Sequence, residues 1–417
     1  MGPYVAVILM VGQGLVPGLL DKIGVKPTGS NGYEEFLRAG DVFEQGMYDH
    51  LWNAEHEMGI GVEVRPTPGS NLAKQLFKGK TSLDRRRLLV QRFAEATRLL
   101  EVASSKPVSD PRPAVSSTTV YPELKWVRYS AHHLVNVAHV QRAAGDDRGA
   151  VDTLMMGFGL LDKIKQGSST TWLMGSVGQQ FLLDELGAAL PTLSHSAASR
   201  LVERLATLDD PSKGLEACLL REFRSVENTL PLLAGSEPQQ LLDAYFLADD
   251  PVRTQVLALD ATARRDLVNL AARRLHSLRE TWLSKVKQGP NSWLTLRDTD
   301  SAQSGSDRAE LANRLVDQTM MSAREVVDYA VLETVKRRLL AANGAVVRYR
   351  WEHGRLPRSL EDATGDGQSM CPLSGRPLTY SRLPEGGFSI KSPGVAQMGE
   401  ITLASRPKRA QGRPANP

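Results

Sequence analysis

The residues with the most obvious chemical potential are histidines. In "HLWNAEHEMG" (50–59), His50, Glu55, His56 and Glu57 stand close together. A zincin-type metal site needs two histidines four apart around a glutamate, so that both imidazoles face one ion. His50 and His56 are six apart and fail that spacing. In "AHHLVNVAH", His132 and His139 are seven apart and share one helical face, with His133 turned away. Two imidazoles on that face could enter a metal shell, but no third ligand is identifiable, and satisfied helix histidines are the commoner outcome.

Other constellations read as architecture. There is no G-x-S-x-G elbow, P-loop or G-x-G-x-x-G stretch. Asp209–Asp210 and Asp249–Asp250 each precede a proline and suit the start of a helix. Arg85, Arg86 and Arg87 have no glycine-rich loop beside them and read as a solvated helix face. In "WLMGSVGQQFLLDEL" (172–186), Gly175 and Gly178 would let a second helix approach closely. That favours a tightly packed central helix over a pocket lined by Gln179 or Gln180. No catalytic residue and no cofactor is expected from these patterns.

The elements that must position these residues are mostly helices. Leu89, Phe93, Ala96 and Leu100 predict an amphipathic helix over 82–103, capped by Ser82 or Thr81. Leu124, Val127, Ala131, Leu134, Ala138 and Gln141 predict one over 123–144. Val151, Leu154, Phe158, Leu161 and Lys165 predict the next, after a Gly-Asp turn. The two read as an antiparallel pair, and Ala144, Gly145, Asp146 and Ala150 resemble the turn of a tetratricopeptide hairpin. No second copy recurs at a fixed period. Further helices are expected near 170–190, 195–208, 211–232, 237–248 and 260–287. A long apolar stripe runs through Val316, Met320, Ala323, Val327, Val331, Val335, Leu339, Ala342, Val346 and Tyr349.

The ends of the chain differ from its middle. Met1–Leu20 carries no charge, and twenty helical residues span about 30 Å, the thickness of a hydrocarbon core. We read it as a membrane anchor or signal remnant, which places the body outside the cytoplasm, in the cell envelope or periplasm. After Glu400 there is no acidic residue, so Arg406, Lys408, Arg409 and Arg413 carry the whole net charge of +4. The basic balance is therefore a property of the tail, and nucleic acid is not an expected partner. The two cysteines, Cys218 and Cys371, have no spacing that settles whether they pair.

Near the C-terminus the pattern changes. "YRWEHGRLPRSL" (349–360) stops a helix at Gly354 and forbids its continuation at Pro357. "SLEDA" offers one more turn, with Ser359 and Asp362 as a local cap. Pro372 and Gly375 suit a tight turn, and "RPLTYSR" and "GFSIKS" alternate like strands joined by "LPEGG". Through Tyr349, Gly354, Pro357, Pro372, Gly375, Pro377, Tyr380, Gly387, Phe388, Ser392 and Gly394, residues 335–395 resemble the C-terminal region of a type II secretion major pseudopilin. The resemblance implies a long helix, a Gly/Pro turn, a short helix and a hairpin. The family's processing site is absent, and its calcium loop is replaced by "SPGVAQMGEIT", which has Glu400 as its only carboxylate. Cys371 stands where the family has the aspartate of an Asp-Pro turn. The chain as a whole is similar to large bacterial envelope proteins built from an anchor, a helical body and such a module.

The expected fold is mainly α: an irregular, solenoid-like body of helical hairpins with a long C-terminal helix and a small antiparallel β-hairpin. Its expected regions are the anchor (1–20), an N-terminal helical region (21–103), a Pro/Ser-rich linker (104–122), a helical body (123–296), the long helix with its pseudopilin-like module (308–395) and a disordered basic tail (396–417). The expected function is a non-enzymatic, membrane-anchored scaffold or interaction module with a protein partner. One alternative is an accessory component of a type II secretion or pilus-like system. The other is a metal-dependent hydrolase whose site assembles from distant residues around His132 and His139.

Overall fold

The structure, a computed structural model, describes residues 18–24, 26–59, 70–112, 121–208, 210–235, 238–239, 242, 246, 248–296, 307–365, 368–384, 386–395 and 398–403. It is mainly helical with a small antiparallel sheet. Its contacts divide the described chain into two units. One draws on residues 18–112, 121–164 and 177–182, the other on 165–176 and 183–403.

After the one-turn helix Leu19–Lys22, the first unit continues with α1 (Gly32–Gln45), α2 (Tyr48–Gly59) and α3 (Ser70–Phe77). The Asn31 side chain caps α1 by accepting from the Tyr33 backbone N–H at 3.0 Å. The helix expected over 82–103 is two helices, α4 (Ser82–Arg92) and α5 (Ala94–Ser105). Thr81 caps α4, accepting from the Asp84 N–H at 3.2 Å. The break falls at Phe93 (φ −108°, ψ 26°). There the ring turns inward to lie 5.7 Å from Phe43 and 4.9 Å from Tyr48.

Next come α6 (Leu124–Ala143) and α7 (Asp147–Ile164), joined by a turn in which Asp146 Oδ1 accepts from the Gly149 N–H. The described half of the Pro/Ser-rich stretch is pinned to the start of α1. Gly32 N–H donates to the Pro107 carbonyl at 2.8 Å, and Asn31 Nδ2 donates to that of Ser109 at 2.7 Å. Helices on both sides of this stretch share one unit, so it is not a domain boundary.

The second unit contains most of α8 (Ser169–Ala189), then α9 (His195–Ala206), α10 (Pro211–Thr229), α11 (Ala261–Gln288), α12 (Asp307–Thr319) and α13 (Met321–His353). Asp210, Asp250 and Asp260 cap helices by accepting backbone N–H bonds at 2.9, 2.7 and 2.8 Å. Such caps are worth about 1 kcal/mol each. Asp210 and Asp250 thus do start helices, as expected.

The C-terminal stripe breaks at Met320 (φ −92°, ψ 7°), which separates α12 from α13. Beyond the expected stripe, Val326, Leu332, Leu340, Ala345 and Val347 are also buried. α13 is therefore enclosed nearly all round, which the single-stripe pattern understated.

Gly354 (φ 66°) closes α13 in the left-handed region, a conformation that costs other residues roughly 1–2 kcal/mol. After the one-turn helix Glu361–Thr364 come β1 (Thr379–Arg382), β2 (Phe388–Val395) and β3 (Gly399–Ile401), antiparallel in that order. Tyr380 pairs with Ile390, and Ser392 with Ile401. Ile390 and Ile401 enter the same apolar core as Val335, Leu339 and Val346 of α13.

The expected hairpin is present as β1 and β2. One expectation changes: a third strand, β3, lies in the stretch read as a disordered tail, because Ile401 has an apolar site to fill. Residues 404–417 lie outside the described residues, as do 1–17 of the expected anchor. Among the described residues no helix is long and apolar enough to cross a membrane.

Candidate functional site

In the second unit the polar interior centres on Lys165, the residue that occupied an apolar stripe position in the sequence. Its side chain is 2 % exposed, and its ammonium pairs with the Glu333 carboxylate of α13. The ammonium also lies 4.7 Å from the centre of the Trp172 ring, a cation–π contact. Arg337, one turn along α13, donates through Nε to the other Glu333 oxygen at 3.0 Å. Burial by itself would raise the Glu333 carboxyl. The Lys165 and Arg337 charges, hydrogen-bonded to it, instead hold it well below the usual carboxylate range.

Close by, Glu222 of α10 accepts from the Ser169 N–H at 3.2 Å and from the Ser322 hydroxyl at 3.2 Å. Burial, reinforced by Glu222, pushes the Cys218 thiol well up, which makes it a poor nucleophile. Cys218 and Cys371 are both free thiols. Every charge here is engaged by a neighbour, so the arrangement pins α13 to the segments around it.

In the first unit, α6 carries His132 and His133 into an aromatic cluster. His132 lies between Trp52 of α2 and Phe181 of α8, with both ring centroids at 4.0 Å. His133 sits among Phe43, Tyr48 and Phe93, and its Nε2 is 2.8 Å from the Thr97 hydroxyl. Burial pulls both imidazoles down to about 3, helped at His132 by Arg128 and His56.

His139 lies two turns along α6 and is half-buried. His132 is enclosed by the Trp52 and Phe181 rings. Among the described residues no group of three or more His, Cys, Asp or Glu side chains is placed to hold an ion.

The remaining sequence candidates are dispersed. His50 approaches Asp49, while His56 is exposed and stacks on Trp52 at 5.4 Å. Glu55 is buried and accepts from Ser82 at 3.1 Å, with Arg85 and Arg86 at 3.9 and 3.8 Å. The Arg85–Arg87 run is therefore only partly a solvated face. Arg85 is buried and donates to the Lys80 carbonyl, and of the three only Arg87 is mostly exposed.

Gln179 is buried. Its Nε2 donates to Asp162 at 2.6 Å and to the Phe158 carbonyl at 3.1 Å, clamping α8 to α7. Gly178 permits that approach: a Cβ there would stand 2.9 Å from Leu161 Cδ1 and 3.5 Å from the Val127 carbonyl.

A second buried network was not foreseen, because it lies in the stretch read as linker. Arg112 donates to Asp110 at 3.0 Å and to Glu123 at 2.6 Å, and the Tyr33 hydroxyl donates to Glu123 at 2.7 Å. Burial, aided by Glu123 and Asp110, drives the Tyr33 phenol well up.

The turn residues of the terminal module do come together. Tyr349 stacks on His353 at 3.9 Å, one turn before Gly354. The Pro357 carbonyl accepts from the Tyr380 hydroxyl at 3.2 Å and from Arg382 Nε at 2.9 Å, tying β1 to the helix stop. The Pro372/Gly375 turn is wider than four residues. Cys371 N–H donates to the Arg376 carbonyl, Gly375 N–H donates to the Cys371 carbonyl, and Met370 bridges Pro377.

At the start of this turn the Cys371 sulfur accepts from the Ser392 hydroxyl at 3.0 Å. Burial would raise its thiol, but the Ser374 and Ser392 hydroxyls and the Ser374 and Leu373 N–H groups aim at the sulfur and bring it below its ordinary value. No protein-family model, curated protein or solved structure matches the chain.

Proposed function

We propose that the chain is a non-enzymatic helical scaffold of the bacterial envelope, held by its N-terminal segment, whose terminal module meets a protein partner outside the cytoplasm. One observation carries the interaction reading. Among the described residues the large apolar side chains left about half exposed are Leu232, Trp351 and Leu383, and the last two belong to the module. Trp351, 55 % exposed, is held in place by its indole N–H, which donates to the Leu193 carbonyl at 2.8 Å. A fixed, exposed tryptophan is the kind of anchor that binding surfaces use. The envelope placement rests on the uncharged run Met1–Leu20.

Two measurements test the reading. Fractionation with protease treatment of intact cells should find the chain membrane-bound and cleavable from outside. Crosslinking and affinity purification should recover one defined partner with the native chain and lose it with Trp351→Ser plus Leu383→Ser. A freely cytosolic chain, or recovery unchanged by the double substitution, would count against it.

A second reading, an accessory component of a secretion or pilus-like machine, is favoured by the shape of the module: a long helix, a left-handed Gly354, Pro357 and a sheet folded back on the helix. Co-purification with secretion components tests it.

A further inference from the structure

We propose that the adjacent pair His132–His133 is an acid-operated latch, whose protonation opens the aromatic core of the first unit. The geometry supplies the mechanism. The Thr97 hydroxyl reaches back toward the Phe93 carbonyl, so it accepts from His133 Nε2–H and leaves Nδ1 bare. His133 Nδ1 and His132 Nε2 are both buried without a hydrogen-bond partner. A proton added to either nitrogen creates a charged donor facing carbon, which the closed core cannot accommodate.

The surroundings offer no relief. On α2 the ionisable neighbours are Tyr48, His56 and Glu55, and Glu55 is already engaged by Arg85, Arg86 and Ser82. On α6 itself they are Arg128 and Tyr129, the former cationic. α1, α5 and α8 contribute Phe43, Thr97 and Phe181. His132 is therefore flanked by Arg128 and His56, and His133 by rings.

The sign follows from linkage. Both imidazoles are held below the free value of 6.5, so the open state binds more protons, and the closed state is lost as pH falls through 6.5. At pH 5 each ring favours opening by about thirtyfold, and the pair by about a thousandfold.

Hydrogen exchange on the full chain, corrected for the intrinsic pH dependence, reads this directly. Protection of α2 and α6 should fall by up to about a thousandfold between pH 7.5 and pH 5, while α13 holds. His132→Phe with His133→Phe should keep α2 and α6 protected at pH 5. If that variant does not fold, the slope of log protection against pH in the native chain decides, and a slope above one supports the pair. A slope of one or less, equal loss in the double variant, or loss of α13 in step would overturn the proposal.

Discussion

Lys165 and Glu333, 168 residues apart in sequence, meet as an ion pair inside the second unit, with Trp172 closing one side and Arg337 the other. Such pairs add little over an apolar pair of the same shape, but breaking one is costly.

Lys165→Met leaves Glu333 buried with Arg337 alone and should lose about 3–5 kcal/mol. Lys165→Met with Glu333→Leu should recover most of that loss. Urea denaturation of the single and double variants measures it. Additive losses would show that the two side chains do not act as a pair.

The same carboxylate sets an acid limb. Its folded pKa is depressed, so the stability it contributes is present above the ordinary carboxylate value of 4.5 and is lost as pH falls below it. In Glu333→Gln this contribution to the pH dependence should disappear. Denaturation midpoints of the two proteins between pH 6 and pH 3 check it.

Cys371 can be tested by what replaces it. Cys371→Ala strands the donors of Leu373, Ser374 and Ser392 and should cost about 1–3 kcal/mol. Cys371→Asp restores an acceptor and should stay closer to the native chain in thermal unfolding. An aspartate variant as unstable as the alanine one would show that the sulfur is packing rather than accepting.

Much of the architecture is written in local pattern. Helix starts at Thr81, Asp210 and Asp250, the stop at Gly354 and the pairing of Tyr380 with Ile390 depend on near neighbours and are legible in sequence. The break at Phe93 is not, because it answers to Phe43 and Tyr48 on other helices. Nor is β3, whose Ile401 is drawn in by the core around α13.

The polar interior was half visible. A lysine at a position of the apolar stripe is the one local sign of Lys165, and nothing near Glu333 marks it as the partner. His132 and His139 were legible as a face, yet Trp52 and Phe181, which close around His132, come from distant segments.

The late position of α13 has a bearing on biosynthesis. The apolar side of α10 emerges from the ribosome before α13, which packs against it, exists. At roughly 5–20 residues per second, the interval between making Lys165 and making Glu333 is on the order of ten seconds or more. Within it, from the making of α10 until α13 follows, the leucines on that side of α10 are without their final cover.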